Sequence, residues 1–211
     1  MKSRELESKF EVSQEDFVKI KETGKIKELR EQLNIYFDHE NYLSSRSITF
    51  RIRVSSKSNP KMTLKIPAHQ ELGFREVIEI EKELDSDFDF SSVSKIDIDN
   101  ELPKEFRDYL QFFNLKELNK IGSMKTNRWV TYLNPQIEVE LDEVELPNGN
   151  MFFEVEVEND EYDYRKAAEN ILKDIAHNII PSRCSKYERF TEAINNLSTQ
   201  AVSLEKLNHT T

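Results

Sequence analysis

The feature that most constrains the fold is an alternation of apolar and charged residues that begins almost at the first residue. It opens with residues 4–12, RELESKFEV, in which Glu5, Glu7 and Lys9 share one parity and the other parity is mostly apolar. Successive side chains of a strand point to opposite faces of a sheet, so this segment predicts a strand with one charged face. Most strands of this kind turn their charges to water, and one such strand does not show whether the charges here face water or the interior.

The same alternation recurs in four later segments, and the sign of the charge differs between them. TFRIRV and MTLKI place arginine or lysine on the polar parity, whereas QIEVELDEV and MFFEVEVE place carboxylates there. Like charges on paired strands repel each other, so a solvated surface tends to mix its signs. A solvated charged face is the simpler alternative. The separation of positive and negative charges onto different strands nevertheless favours a sheet whose charged faces curl toward one another.

Curling would create a lumen with two chemically different walls. A closed antiparallel barrel of about eight strands can hold a small ligand in its interior. Carboxylates bind hard divalent cations, and arginine and lysine bind phosphate oxygens. Because buried charges are costly unless they are paired or neutralised, the pattern predicts a ligand with several negative charges and a metal ion beside the acids. A di- or triphosphate chain fits this description.

The remaining sequence predicts an α+β protein with about eight strands in two groups of four, arranged as a large antiparallel sheet or barrel. Ser13 is the expected N-cap of the first helix, and Gly24 is its expected end. Further helices are expected at 102–114, 163–179 and 184–197, and residues 25–33 are expected to prolong the first helix. The sequence after about residue 198 predicts a flexible tail, 199–211.

Composition limits the partners that such a protein can have. The chain has 211 residues and a net charge of −10, which argues against nucleic acid and anionic membranes because both need a basic surface. Cys184 is the only cysteine, so no internal disulfide is expected and a reducing compartment fits. The sequence lacks an apolar run of membrane-spanning length and a signal-peptide core, so the expected location is the cytoplasm.

Residues Glu5 to Lys9 also form an ExExK motif, which is a weak signal by itself. An ordered set of further motifs follows it: YFDHENY, FRIR, TLKIP, NRWV, VELDEV, FFEVEVEND and SKYERF. On this set, which spans residues 5 to about 190, the sequence resembles the CYTH superfamily, the triphosphate tunnel metalloenzymes, and especially its bacterial members. The resemblance implies one CYTH domain over residues 1–198, whose eight strands close into an antiparallel tunnel with a charged lumen and flanking helices.

The resemblance also implies which side chains do the chemistry. Mg²⁺ or Mn²⁺ would be held by Glu5, Glu7, Glu140, Asp142, Glu154 and Glu156. The triphosphate would be bound by Lys9, Arg51, Arg53, Lys65, Arg128 and Lys186. Lys9 and Tyr36 are the implied catalytic residues, with Lys9 accepting a proton if burial lowers its pKa. Glu138 and Glu158 are expected at the rim, and Arg75 either in the tunnel or on the surface.

The implied activity is divalent-metal-dependent hydrolysis of inorganic tripolyphosphate, a nucleoside triphosphate or thiamine triphosphate. A class IV-type adenylate cyclase shares these motifs and would release cyclic AMP and pyrophosphate instead. A non-enzymatic protein that binds polyphosphate or nucleotides is a third alternative, although six carboxylates would add little to a pure anion binder. The expected partner is a small triphosphate rather than a nucleic acid or a membrane, and the expected assembly is a monomer or a homodimer.

Overall fold

Eight long strands close on themselves in the computed structural model, which describes residues 2–86 and 89–208. Ten strands occur within these ranges: β1 (Lys2–Val12), β2 (Lys25–Asp38), β3 (Thr49–Ser55), β4 (Ser58–Glu71), β5 (Phe74–Glu83), β6 (Lys95–Asp97), β7 (Glu117–Asn134), β8 (Ile137–Glu145), β9 (Met151–Glu158) and β10 (Ile179–Pro181). Around the barrel the order is β1–β5–β4–β3–β2–β7–β8–β9, with β9 paired back to β1 and all pairings antiparallel. The short strands β6 and β10 extend the sheet beside β7 and β1. The predicted α+β class and the closed eight-stranded barrel are confirmed.

Five helices surround the barrel in the same ranges: α1 (Gln14–Thr23), α2 (Ile98–Glu101), α3 (Lys104–Gln111), α4 (Tyr162–Ile175) and α5 (Lys186–Asn208). Both predicted ends of α1 are present. The Ser13 side chain accepts a hydrogen bond from the Asp16 amide, and the Gly24 amide donates to the Ile20 carbonyl. No helix of the described ranges combines the length and the apolar character that crossing a membrane requires.

The flexible tail predicted from residue 199 stays a prediction. The backbone of α5 continues to Asn208, and residues 209–211 lie outside the described ranges. The single domain over residues 1–198 is likewise still a prediction, although the barrel and the first turns of α5 lie within it.

The predicted extension of the first helix through residues 25–33 is wrong, because these residues belong to β2. Lysine, glutamate, leucine and glutamine favour helices, but β2 pairs with β7 from Lys25 opposite Tyr132 to Asp38 opposite Asn119. These cross-strand hydrogen bonds outweigh the local propensity. The misassignment shortened β2 without removing it, because residues 34–40 were expected as a strand. The barrel strands are divided five and three along the chain, rather than four and four.

The apolar parity of the barrel strands faces outward and is covered by helices. On one side of the barrel, Phe50 and Leu64 belong to a buried cluster with Phe106 of α3. On another side, Val155 belongs to a second buried cluster with Phe17 of α1 and with residues of α4. Because these clusters lie between the barrel wall and the helices, the charged parity of the same strands lines the lumen.

The first turns of α5 lie in one end of the barrel. The rings of Tyr187 and Phe190 contact the ring of Tyr36 on β2, with centroids 5.1 and 4.5 Å apart. Tyr36 is 1% exposed and faces the lumen. This aromatic packing brings the neighbouring Lys186 into the lumen, far in sequence from the strands around it.

Gly73→Ala should destabilise the protein more than Gly149→Ala. Both glycines have a positive φ, +75° and +81°, which costs an alanine about 1–2 kcal/mol. A Cβ on Gly73 would also lie 2.5 Å from Cβ of Pro181, whereas a Cβ on Gly149 would have no heavy atom within 4 Å. We expect the Gly73 variant to lose at least about 1 kcal/mol more of the free energy of unfolding, measured by urea denaturation. Equal losses would show that the β4–β5 turn does not press against β10.

Candidate active site

The lumen encloses a cavity of about 290 Å³ whose lining is mostly polar and charged. Its walls contain most of the residues indicated by the sequence: Glu5, Glu7, Lys9, Tyr36, Arg51, Arg53, Lys65, Arg128, Glu140, Glu156 and Lys186. Asp142 and Glu154 lie behind this lining, where both are fully buried and bind Lys186. The structure therefore brings all of these side chains together at one site.

Arg51 and Arg53 on β3 are cations with few partners. Arg51 is buried, makes no ion pair with any described residue, and has no hydrogen-bond partner for its Nε. Arg53 donates one hydrogen bond, from its Nε to Oδ1 of Asn34 at 2.9 Å. Burial, together with the neighbouring Arg51 and Arg128, lowers the pKa of Arg53 to about 10. Two guanidinium groups in this state create a site for an anion.

Lys65 on β4, by contrast, is a paired cation. Its Nζ lies 2.5 Å from a carboxylate oxygen of Glu5 on β1 and 3.3 Å from one of Glu79 on β5. Burial alone would raise the pKa of Glu5, but the Lys65 ammonium lowers it to about 2. Glu5 is therefore a charged acid that already has one cation beside it.

The ammonium of Lys186 lies among three buried acids on β8 and β9. Its Nζ is 2.8 Å from Asp142, 2.5 Å from Glu154 and 2.5 Å from Glu156. Oxygens of these acids lie within 4.8 Å of one another, which is a spacing that can hold a metal ion. The position between them is taken by a cation of the chain itself.

Arg128 on β7 neutralises the same acidic wall from the other side. It donates from Nε and Nη2 to the two oxygens of Asp142, at 2.7 and 2.6 Å, and it also binds Glu140 and Glu156. Burial alone would raise the pKa of Asp142, but Arg128 and Lys186 lower it. The pKa of Glu156 is likewise held well below its usual range, against the effect of burial, by Lys186, Lys9 and Arg128.

Glu7 on β1 differs from Asp142 and Glu156, because its pKa is raised rather than lowered. It is 4% exposed, and its one ion pair within the described residues is with Lys9 at 3.1 Å. Burial raises the pKa of Glu7 to about 7; the Lys9 ammonium opposes this rise, and the carboxylates of Glu156 and Glu5 add to it. Glu7 is therefore an acid whose burial is not offset by the one ammonium paired with it.

Lys9 does not show the lowered pKa that a proton acceptor would need. Burial alone would lower the pKa of Lys9, but Glu156 at 2.6 Å and Glu7 at 3.1 Å raise it above its usual range. The side chain is thus an ammonium ion in the structure. Tyr36, the other predicted catalytic residue, lines the cavity, and no described hydrogen bond joins it to Lys9.

Several cavity residues lie outside the set that the motifs indicated: Arg30, Arg75, Glu79, Glu81 and Glu158. The alternation in the β5 sequence FREVIEIEKE contains the signal for three of them, because every second residue from Arg75 onward faces the lumen. Arg75 is buried in the tunnel wall, which resolves the choice between tunnel and surface. The acids of β5 lie beside the basic strand β4, so the two signs are less separated than the sequence suggested.

Glu158 lines the cavity as an exposed residue, directly opposite Glu7 in the β1–β9 pairing. Partial burial and the nearby carboxylate of Glu5 raise the pKa of Glu158 to about 7. The acids on this side of the lumen, Glu7 and Glu158, are therefore short of cations, whereas Asp142 and Glu156 are not.

A closed barrel whose lumen holds opposed cationic and acidic groups defines a class of tunnel proteins. The CYTH domain family model matches residues 3–191, and the chain belongs to the CYTH family. A search of the curated proteins gives no significant match.

Solved structures support the same fold. A protein from Hippeastrum, described as a candidate adenylyl cyclase with a dominant triphosphatase activity, has a TM-score of 0.74 at 21% identity and covers 89% of this chain and 95% of its own. A candidate adenylate cyclase from Bacillus halodurans has a TM-score of 0.67 at 23% identity, with coverages of 90% and 98%. Protein PH1819 from Pyrococcus horikoshii has a TM-score of 0.56 at 22% identity, with coverages of 89% and 98%. At these identities the likeness concerns the fold.

Glu7→Gln should stabilise the metal-free protein, and Glu156→Gln should destabilise it. Folding raises the pKa of Glu7 from its ordinary value of 4.5 to about 7, so the protein loses stability as the pH rises through this range. Glutamine removes that loss. Folding lowers the pKa of Glu156, so its charged form stabilises the protein at a pH above the ordinary pKa of a glutamate. This stabilisation is lost as the pH falls.

At about pH 8 we expect the free energy of unfolding to rise by about 2 kcal/mol in the Glu7 variant and to fall by about 3 kcal/mol in the Glu156 variant. Urea denaturation in the presence of EDTA measures both changes. A loss of stability in both variants would contradict the unequal charge balance of the two acids.

Proposed function

We propose that this protein hydrolyses a triphosphate in a reaction that requires a divalent metal ion. The observation that carries the proposal is the imbalance of charge in the lumen: Arg51 and Arg53 have no anionic partner among the described residues, and Lys9, the one cation paired with Glu7, does not offset the burial of that acid. A polyphosphate chain with a bound metal ion satisfies both needs at once. Its oxygens accept hydrogen bonds from the arginines, and its metal ion meets the acids.

The guanidinium groups suit the reacting phosphates for a geometric reason. Each offers donors in a planar fork that matches two phosphate oxygens, which an ammonium group does not provide. Charge accumulates on the equatorial oxygens during phosphoryl transfer, so fixed donors at these oxygens stabilise the transition state. We assign this role to Arg51 and Arg53, with Lys65, Arg128 and Lys186 completing the predicted phosphate-binding set.

The acids fit a hard divalent ion such as Mg²⁺ or Mn²⁺, because all of them offer oxygen ligands. The buried Oε1 of Glu154 has no hydrogen-bond partner, and Glu7 is short of positive charge. We propose that the predicted six acids divide the work: Glu154, through its free Oε1, joins Glu5, Glu7 and Glu156 at the ion, and the two acids that bind Arg128 support them, Glu140 and Asp142. When bound, the metal ion would neutralise phosphate charge and activate water.

Lys9 is better suited to holding negative charge than to accepting a proton. A lysine whose pKa is raised by two neighbouring acids is a poor base near neutral pH. We therefore propose that the Lys9 ammonium acts on the phosphates as a cation. The catalytic role of Tyr36 stays a prediction.

Adenylate cyclase is the second candidate, because two structural neighbours carry that description. A cyclase must also hold an adenosine group, and bases are commonly bound by stacking on exposed aromatic rings. Among the described residues, the aromatic side chains that line the cavity are Tyr36, His69 and Tyr187, and both tyrosines are buried. His69 is therefore the one exposed ring among the described residues of this lining, a small platform for a base, and the many charged groups around it favour hydrolysis of the phosphate chain.

We further propose that the partner is a small triphosphate and not a nucleic acid or a membrane, given the net charge of −10. A cytoplasmic location and a monomeric or homodimeric state stay predictions. Size-exclusion chromatography with light scattering would determine the assembly.

Incubation with tripolyphosphate, ATP or thiamine triphosphate should release inorganic phosphate when Mg²⁺ or Mn²⁺ is present, and EDTA should abolish the reaction. Phosphorus NMR identifies the products of each substrate. Cyclic AMP and pyrophosphate from ATP would instead support the cyclase, and binding without any turnover would support a sensor. Full activity after exhaustive chelation would contradict the metal requirement.

Arg51→Gln should impair function while stabilising the fold. Loss of a charged fork should lower kcat/KM on the order of 100-fold, because two charge-assisted hydrogen bonds are lost in the transition state. Removal of a buried cation without a partner should raise the free energy of unfolding of the metal-free protein by about 1 kcal/mol. Arg107→Gln, on α3 and outside the cavity lining, serves as the control for activity and should leave kcat/KM unchanged. Unchanged kcat/KM in the Arg51 variant would remove Arg51 from the site.

A further inference from the structure

The first turn of α5 contains a hydrogen-bonded pair that the charges described above do not explain. The Glu188 amide donates to Oγ of Ser185 at 3.1 Å, and the Ser185 amide donates to Oε2 of Glu188 at 2.6 Å. This reciprocal pair is a capping box, which satisfies two backbone amides at the start of a helix. The SKYERF motif thus fixes how α5 begins, in addition to supplying Lys186.

The Glu188 carboxylate makes two further contacts that a capping box does not need. Nη2 of Arg75 on β5 donates to Oε2 at 3.0 Å, and the Ser47 hydroxyl donates to Oε1 at 3.1 Å. Both Arg75 and Ser47 line the lumen, and Ser47 lies in the connection between β2 and β3. Glu188 therefore ties the start of α5 to two separate parts of the barrel wall.

The residues on either side of Glu188 are also held by the barrel. Tyr187 donates a hydrogen bond to Oδ2 of Asp38 at 3.3 Å, Arg189 forms an ion pair with Glu11, and Lys186 lies among the inner acids. Since the backbone of a helical turn is rigid, the direction of the Glu188 side chain and the position of the Lys186 ammonium are set together.

We propose that Glu188 is a positioning residue for the phosphate site, which orients Arg75 toward the lumen and holds Lys186 inside it. This inference rests on the proposed function, because it concerns cations that would meet the phosphate chain. Arg75 is buried and Glu188 is its ion-pair partner, so removal of the carboxylate charge would leave the guanidinium free to turn away. The expected consequence is weaker phosphate binding without loss of the fold.

The test is calorimetric titration of tripolyphosphate in EDTA, a condition in which binding is measured without turnover. Glu188→Gln keeps an oxygen that can accept from the Ser185 amide, so its melting temperature should stay within about 2 °C of the parent protein. Its affinity for tripolyphosphate should fall on the order of tenfold, because a charge-assisted pair is lost. Glu192→Gln, an exposed acid on the same helix, should bind as the parent protein does.

A double-mutant cycle separates positioning from capping. If Glu188 acts through Arg75, the double variant R75Q/E188Q should bind no more weakly than R75Q alone. Additive losses, or parent-like affinity in E188Q, would overturn the proposal and leave Glu188 as a helix cap. Ser47→Ala removes one barrel contact of the carboxylate without altering α5, and it should weaken binding by about threefold even if E188Q does not fold. Unchanged affinity in Ser47→Ala would also overturn the proposal.

The parent protein distinguishes the triphosphatase proposal from the Glu188 proposal. Binding of tripolyphosphate in EDTA, without hydrolysis after metal is added, would refute the triphosphatase and leave the role of Glu188 open to the same cycle. Hydrolysis with metal but no binding in EDTA would overturn the Glu188 proposal alone, whereas neither binding nor hydrolysis under either condition would refute both.

Discussion

The structure depends on the pairing of buried charges across the lumen of the barrel. An isolated ion loses several kcal/mol of hydration when it leaves water, so a lumen lined with ions folds only if most of them are partnered. Arg128 and Lys186 provide this compensation on the acidic wall, and Lys65 provides it for Glu5. The outer covering of helices follows from the same requirement, because strands that place their charges inside must bury their apolar side chains outside.

Compensation is nearly complete on one part of the wall and incomplete on another. Asp142 and Glu154 are fully buried and bind cations of the chain, so they act as a counter-charge that holds Lys186 and Arg128 in place. Arg51 has no opposite charge paired with it among the described residues, and Glu7 has too little positive charge beside it to offset its burial. A site of this kind is selective by charge arrangement: a ligand that brings anionic oxygens to one wall and a cation to the other meets both needs, whereas a simple anion or a simple cation meets only one.

Much of the fold and of the site could be predicted from residue parity, and the failures have physical causes. Alternation in β1, β3, β8 and β9 identified the lumen-facing charges, because a strand has a period of two. Residues 25–33 were misassigned because their composition favours a helix and only the distant partner β7 makes them a strand. Glu79 was missed because parity was not followed through β5, and the same omission left Arg75 undecided between tunnel and surface. The raised pKa of Lys9 depends on Glu156 at 2.6 Å, and the sequence does not give that distance because it does not give the register of β1 and β9.

The closure of the barrel by β1 has a consequence for biosynthesis. β1 pairs with β9 (Met151–Glu158) and β10 (Ile179–Pro181), so this edge of β1 has no partner until those distant strands have been synthesised. An unpaired edge is a template for association with other chains, and inward-pointing charges are one of the devices that prevent it. Glu5, Glu7 and Lys9 are charges of this type on the waiting edge. The residues that form the tunnel in the finished protein therefore also have the chemistry that discourages such association before β9 and β10 are made.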